Sequence, residues 1–188
     1  FIERAGDRLY NAAMLIEPSG KRHVHRKSHL PCLGGDRFMD AAPATAPKVV
    51  PTELGNLGVS ICYELRFPEV ARCLALAGAD VIAQPMNVTK QARMLTDDFA
   101  RVRACENTVY IAVADRGDAE NGAVFVGGSQ IVGPDGIVLA AASTSTEIVT
   151  ADIDPGRSRN KQIVRKPGDY EVNFLADRRP ELYGAVVA

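Results

Sequence analysis

The stretch Leu57-Gly58-Val59-Ser60-Ile61-Cys62-Tyr63-Glu64-Leu65-Arg66-Phe67-Pro68-Glu69 decides the fold. Its first half, residues 57–62, is a short apolar run of the kind that forms a buried strand. Pro68 then suits the first turn of a helix, where its missing N–H costs nothing. Phe67, Val70, Ala71, Leu74 and Ala75 recur at helical spacing and give that helix an apolar face. Gly78 closes it. Residues 80–85 start a second buried strand, residues 95–106 read as a helix, and residues 109–114 as a third strand. Strand, helix, strand, helix, strand predicts an α/β domain.

Upstream, the apolar residues 9–16 end at Glu17-Pro18-Ser19-Gly20, a turn signal, and the basic stretch 21–27 can pair back on them. Residues 28–51 are rich in Gly, Pro and Ala with little periodicity. A loop that long in a compact domain is functional or disordered. Downstream, residues 124–132 and 137–142 flank Gly133-Pro134-Asp135-Gly136 as a hairpin, and residues 147–153 add another strand. These antiparallel additions make the sheet mixed. The polar tail, residues 157–188, is expected to wrap a surface or a partner subunit.

Composition narrows the function. The 188 residues carry 22 Lys+Arg against 23 Asp+Glu, and 46% are hydrophobic, which argues against disorder and coiled coil. A net charge of −1 lacks the basic excess of a phosphate-backbone binder, so no nucleic-acid partner is expected. No apolar run approaches the roughly 20 residues of a membrane span, so no membrane partner is expected either. Cys32, Cys62, Cys73 and Cys105 form no C-x-x-C pair, which disfavours a disulfide scaffold and a zinc site. Free thiols suit a reducing, cytoplasmic setting. With no repeat and no clear linker, residues 1–188 read as one domain. The chain opens at Phe1 and enters strand-like sequence within a few residues, so the domain is expected to be incomplete at its N-terminal side.

Cys62 lies where the strand gives way to the helix. A sharp turn there can present a nucleophile while aiming backbone N–H groups at the same point, and a helix N-terminus favours thiolate. The competing reading is a buried structural cysteine. Lys27, in Arg26-Lys27-Ser28-His29-Leu30-Pro31, ends a strand and opens the long loop. Inside a closed site its ammonium could steady an oxyanion; otherwise it belongs to a solvated basic patch. His23 and His25 share a strand face without an acidic residue to complete a metal set, and His29 could act as a base.

Taken in order, these segments resemble the nitrilase, or carbon–nitrogen hydrolase, superfamily. The resemblance rests on residues 26–31, on 58–64 with Arg66-Phe67-Pro68-Glu69, and on Gln84-Pro85-Met86-Asn87. It continues through Arg103-Ala104-Cys105-Glu106-Asn107, through Gly128-Ser129-Gln130-Ile131 with Pro134-Asp135-Gly136, and through Arg178-Arg179-Pro180-Glu181-Leu182-Tyr183. It implies an α-β-β-α sandwich with a mixed sheet, extended across a dimer or higher homo-oligomer, and chemistry without metal or organic cofactor. It implies Cys62 as nucleophile, with Lys27 and the backbone N–H of Tyr63 holding the oxyanion. The substrate would be a small amide, N-carbamoyl compound or nitrile. Asn87, just past a strand end, is the substrate-pocket candidate.

Two departures stand out. The family's general-base glutamate comes from a strand–helix unit upstream of the lysine, and nothing in residues 1–26 resembles it: Glu3 and Glu17 are the only glutamates there. The loop after the lysine offers Asp36 where many members place a second glutamate. The chain alone is therefore expected to be aggregation-prone or to need partner chains, and to be slow by about two to four orders of magnitude. The alternatives are an amidase-like interaction or regulatory module that no longer turns over, and an acyl transferase. Arg103 and Glu106 read either as a polar network beside the site or as a helix-surface pair.

Overall fold

The computed structural model describes residues 1–45, 48–143 and 146–186. Strands β1 (Ile2–Ala5), β2 (Arg8–Ile16) and β3 (Arg22–Arg26) form an antiparallel three-stranded sheet. The turn at residues 17–20 closes the β2–β3 hairpin as its sequence predicts, with Gly20 N–H donating to Glu17 O at 2.8 Å. The chain then passes through a 3₁₀ turn, Gly34–Phe38, to β4 (Val49–Thr52) and β5 (Gly55–Val59). A second 3₁₀ turn, Cys62–Arg66, leads into helix α1 (Pro68–Leu76) and strand β6 (Val81–Met86). One π-helical turn, Leu95–Phe99, runs into helix α2 (Ala100–Asn107), followed by strand β7 (Tyr110–Asp115). Next come the short pair β8 (Ala119–Glu120) and β9 (Ala123–Val124), then β10 (Gln130–Val132) and β11 (Val138–Ala141).

The larger sheet has the order β11-β10-β7-β6-β5-β4, with β5, β6 and β7 parallel and the outer strands antiparallel. The mixed sheet expected from the turn pattern is therefore present. Because β5, β6 and β7 follow one another across it, both right-handed crossovers put α1 and α2 on the same face. Leu74, Ala75 and Ala104 there share a core with Ile82, Ile111, Val113 and Val132. Gly58 lets α1 lie this close: a Cβ at that position would sit 3.1 Å from Leu74 Cδ2.

Three sequence expectations change. The loop after Lys27 is shorter than read, because Val49–Thr52 pairs with Gly55–Val59 as an edge strand. Residues 124–132 are not one strand, since Val126 N–H donates to Val88 O and Gly127 N–H to Arg116 O, away from the sheet. Residues 147–153 form no strand. The Ser143 amide donates instead to Glu147 Oε2, and Ile148 stands 93% exposed. The tail carries α3 (Pro155–Arg159) and the hairpin β12 (Ile163–Lys166) with β13 (Tyr170–Val172). It lies along the helical side: Lys161 Nζ donates to Asn107 O and Thr108 O, and Arg72 donates to Phe174 O.

Candidate active site

Parallel strands bring their C-terminal ends to one edge of the sheet, and that edge carries two of the candidate residues, Cys62 and Asn87. Cys62 follows β5 and Asn87 follows β6, where Asn87 is exposed. Gln84, buried on β6, donates from Nε2 to Cys62 O at 3.3 Å. The cysteine is half-buried against the core.

Its backbone is unusual. Among the described residues, Cys62 (φ 45°), Thr108 (φ 51°) and Asn121 (φ 48°) are the non-glycine residues at positive φ. Thr108 is the left-handed cap that ends α2. Asn121 precedes Gly122 in the tight turn between β8 and β9, a place where Asn-Gly is favoured. Cys62 has neither excuse. It begins a 3₁₀ turn straight out of a strand, the sharp strand-to-helix bend that lifts a side chain out of a sheet. A non-glycine residue held there points to function.

Lys27 is only 2% exposed, although it is one of the 22 basic residues that would ordinarily seek water. Its Nζ donates to Asp36 Oδ2 at 2.5 Å, and Asn11 Nδ2 donates to Asp36 Oδ1 at 2.7 Å. The solvated-patch reading of Lys27 thus fails, and Asp36 is its acidic partner. Glu3 and Glu17 are engaged elsewhere. Arg26 grips Glu3 with two hydrogen bonds, and His23 holds Glu17 at 2.5 Å.

Sequence reasoning passed over Glu64. This side chain is fully buried, and four donors converge on it. Ile61 N–H reaches Oε2 at 2.8 Å and His25 Nε2 reaches the same oxygen at 3.0 Å. Ser28 supplies its N–H to Oε1 at 2.8 Å and its hydroxyl at 2.6 Å. Burial pushes the Glu64 carboxyl up, but the bonds from His25 and Ser28 outweigh it and hold the group down at about 2. The available signal was the Ile61-x-x-Glu64 spacing, which permits a carboxylate to bond back to the start of its own turn. Its partners on the lysine strand lie 36 and 39 residues away, and no local pattern names them.

Arg103 proves to belong to a polar network beside the turn. It is 8% exposed, donates to Leu65 O and Arg66 O, and pairs with Glu106 at 2.9 Å. His29 stacks on Phe67 with ring centroids 4.2 Å apart, and Tyr63 meets Phe67 edge-on. A cleft of about 920 Å³ opens nearby, lined by His25, Ser28, His29 and Glu64 among others; Cys62, Lys27 and Asn87 do not line it. Among the described residues no three His, Cys, Asp or Glu side chains are grouped as a metal site, and no helix is long and apolar enough to cross a membrane.

Known proteins resemble this chain along most of its length. The profile of the family described as carbon-nitrogen hydrolase matches residues 1–162. The chain is 38% identical to a nitrilase of Pyrococcus abyssi over 182 residues, which is 96% of this chain and 66% of that protein. It is 36% identical to the chloroplastic omega-amidase of Arabidopsis thaliana over 162 residues, 81% of this chain and 44% of that protein. A solved carbon–nitrogen hydrolase from Helicobacter pylori G27 superposes with a TM-score of 0.84 at 28% identity, covering 99% of this chain and 68% of its own. The chain spans 66%, 58% and 62% of the lengths of three curated relatives that it matches. The mixed-sheet architecture expected from the resemblance is thus the one found.

Proposed function

The chain belongs to the carbon–nitrogen hydrolase family, and on that premise we propose that it cleaves the carbon–nitrogen bond of a small amide or N-carbamoyl compound through Cys62. In this reading the Cys62 sulfur attacks the carbonyl carbon. Lys27 and the Tyr63 backbone N–H hold the oxyanion of the tetrahedral intermediate. Collapse breaks the C–N bond, the proton lost from sulfur ends on the departing nitrogen, and a thioester remains. Water then adds to the thioester, the acid leaves, and one proton of that water returns to sulfur. Asn87, at the same sheet edge, contacts a polar group of the substrate. Glu3 and Glu17 take no part, because each is already paired.

The observation that carries this reading is the left-handed backbone of Cys62, a non-glycine residue at positive φ where a strand bends sharply into a 3₁₀ turn, with neither a helix C-terminal cap nor an Asn-Gly hairpin turn to account for it. The burial of Lys27 on Asp36 supports it, since a buried ammonium is well suited to a developing negative charge. Neutral-pH iodoacetamide with peptide mapping is the direct test. Cys62 should alkylate about tenfold or more faster than the exposed Cys32 and Cys73. Cys62→Ala should lower ammonia release from ω-amides and N-carbamoyl amines by about three orders of magnitude or more. Equal labelling of the cysteines together with no turnover would remove the proposal.

A second reading, a binding or regulatory module of the same fold, draws on the engagement of both upstream glutamates in other pairs. Fast labelling of Cys62 without turnover would favour it. Assembly into a homo-oligomer also belongs to the proposal, because Met14, Ile16 and Val24 leave the small sheet with exposed apolar side chains.

A further inference from the structure

Cys62 and Lys27 lie 35 positions apart in the sequence and follow strands of different sheets, β5 and β3, so a site that uses both needs something to fix one against the other. Among the described residues, the hydrogen bonds that join the lysine segment, residues 25–29, to the cysteine turn, residues 61–66, all end on Glu64. The amide N–H groups it holds belong to Ile61 and Ser28, the immediate neighbours of Cys62 and Lys27. One carboxylate therefore stands one peptide unit from each of them.

Resting on the reading above, we infer that Glu64 is a positioning residue that sets the reach of the Lys27 ammonium to the Cys62 sulfur. The chemistry of the contacts explains why the residue must be a glutamate. Two backbone N–H groups can only donate, and the Ser28 hydroxyl and His25 Nε2 also point at the carboxylate. A carboxylate accepts on both oxygens. A glutamine of the same shape would turn one oxygen into an NH₂ group facing another donor and release one side of the clasp. Aspartate is one methylene shorter and cannot span both sides.

The sign of the effect separates this role from plain electrostatics. Deleting a carboxylate near a thiol should by itself favour thiolate and speed alkylation. Loosening the lysine from the cysteine should slow it. The other charged or titratable groups around the turn include Lys27, Asp36, His25, His29, Tyr63, Arg66, Arg103 and Glu106, and Glu64→Gln leaves all of them in place.

The test is the rate and pH midpoint of Cys62 alkylation by iodoacetamide in the wild type, in Glu64→Gln and in Ser28→Ala, with Cys32 and Cys73 as internal references. The inference expects Glu64→Gln to slow Cys62 about tenfold or more and to raise its midpoint, while the reference cysteines and the far-UV circular dichroism stay at wild-type values. Ser28→Ala keeps the residue 28 N–H on Glu64, removes the hydroxyl's bonds to Glu64 and to His29 Nδ1, and should slow Cys62 a few-fold. A folded Glu64→Gln protein with unchanged or faster Cys62 alkylation overturns the inference. If Glu64→Gln does not fold, Ser28→Ala decides: slower alkylation supports the clasp and a wild-type rate overturns it. A wild-type Cys62 no faster than Cys32 and Cys73 removes the nucleophile itself, a failure visible before any substitution is made.

Discussion

Replacing Asp36 with alanine strands a buried cation, and the size of the penalty can be worked from the structure. Lys27 is 2% exposed, the Asp36 side chain is 12% exposed, and Nζ meets Oδ2 at 2.5 Å. With charge centres about 4 Å apart and an effective dielectric constant of about 20, the attraction is about 4 kcal/mol. Breaking a buried pair by removing one partner costs about 3–5 kcal/mol, because the remaining charge stays desolvated. Asp36→Ala should therefore destabilise the chain by about 3–5 kcal/mol. Lys27→Met should cost less, about 2 kcal/mol, since Asp36 keeps the Asn11 hydrogen bond and some contact with water. The double variant Lys27→Met with Asp36→Ala should be more stable than Asp36→Ala alone, with a coupling of about 2 kcal/mol or more. Urea unfolding followed by far-UV circular dichroism is the assay, because the chain has no tryptophan to report. At about 2 kcal/mol per molar of urea, the Asp36→Ala midpoint should fall by about 2 M. A fall of less than about 0.5 M, or a double variant no more stable than Asp36→Ala, would refute the reasoning. Either result would mean that Lys27 reaches water or carries no charge.

Two further outcomes follow from the same geometry. Gly55 has φ +108°, and a Cβ there would meet Asp80 Oδ2 at 2.9 Å, so Gly55→Ala should cost about 2 kcal/mol or more; Gly35→Ala, with nothing within 4 Å, should stay within about 0.5 kcal/mol of wild type in the same urea assay. Because the folded Glu64 carboxyl sits at about 2 against an ordinary 4.5, its contribution of about 3 kcal/mol is complete above pH 4.5 and is lost as the pH falls to 2. The stability gap between wild type and Glu64→Gln should shrink across that window, and a gap independent of pH would contradict the assignment.

The α/β alternation around β5, β6 and β7 was legible because each strand falls in a short apolar run and the first helix between them carries an apolar face. Cys62 and Lys27 were legible as residue types at strand ends. What local pattern could not supply was partnership. Residues 147–153 have strand-like composition, yet a strand forms only where a neighbour accepts its backbone, and Glu147 turns back to the Ser143 amide instead. Asp36 was noticed only as a substitute for a glutamate, whereas its role as counter-charge to a buried lysine depends on how residues 27–36 fold back. Glu64 reads as one more charge in a turn until His25 of β3 and Ser28 just beyond it are brought to it.

That dependence on distant partners has a physical reason at Cys62. A left-handed non-glycine residue costs roughly 1–3 kcal/mol and relaxes unless its surroundings fix it from several directions. Here the turn is held by three parts of the chain. Glu64 takes the Ile61 N–H, Gln84 from β6 donates to Cys62 O, and Arg103 from α2 donates to Leu65 O and Arg66 O. Each bond falls on a different peptide of the same turn, so relaxing φ at Cys62 would disturb more than one of them. The burial of Arg103 and Gln84, two of several buried polar side chains on these elements, is thereby explained as support for the bend at Cys62. Packing between β6 and α2 alone would have been served better by apolar side chains at both positions.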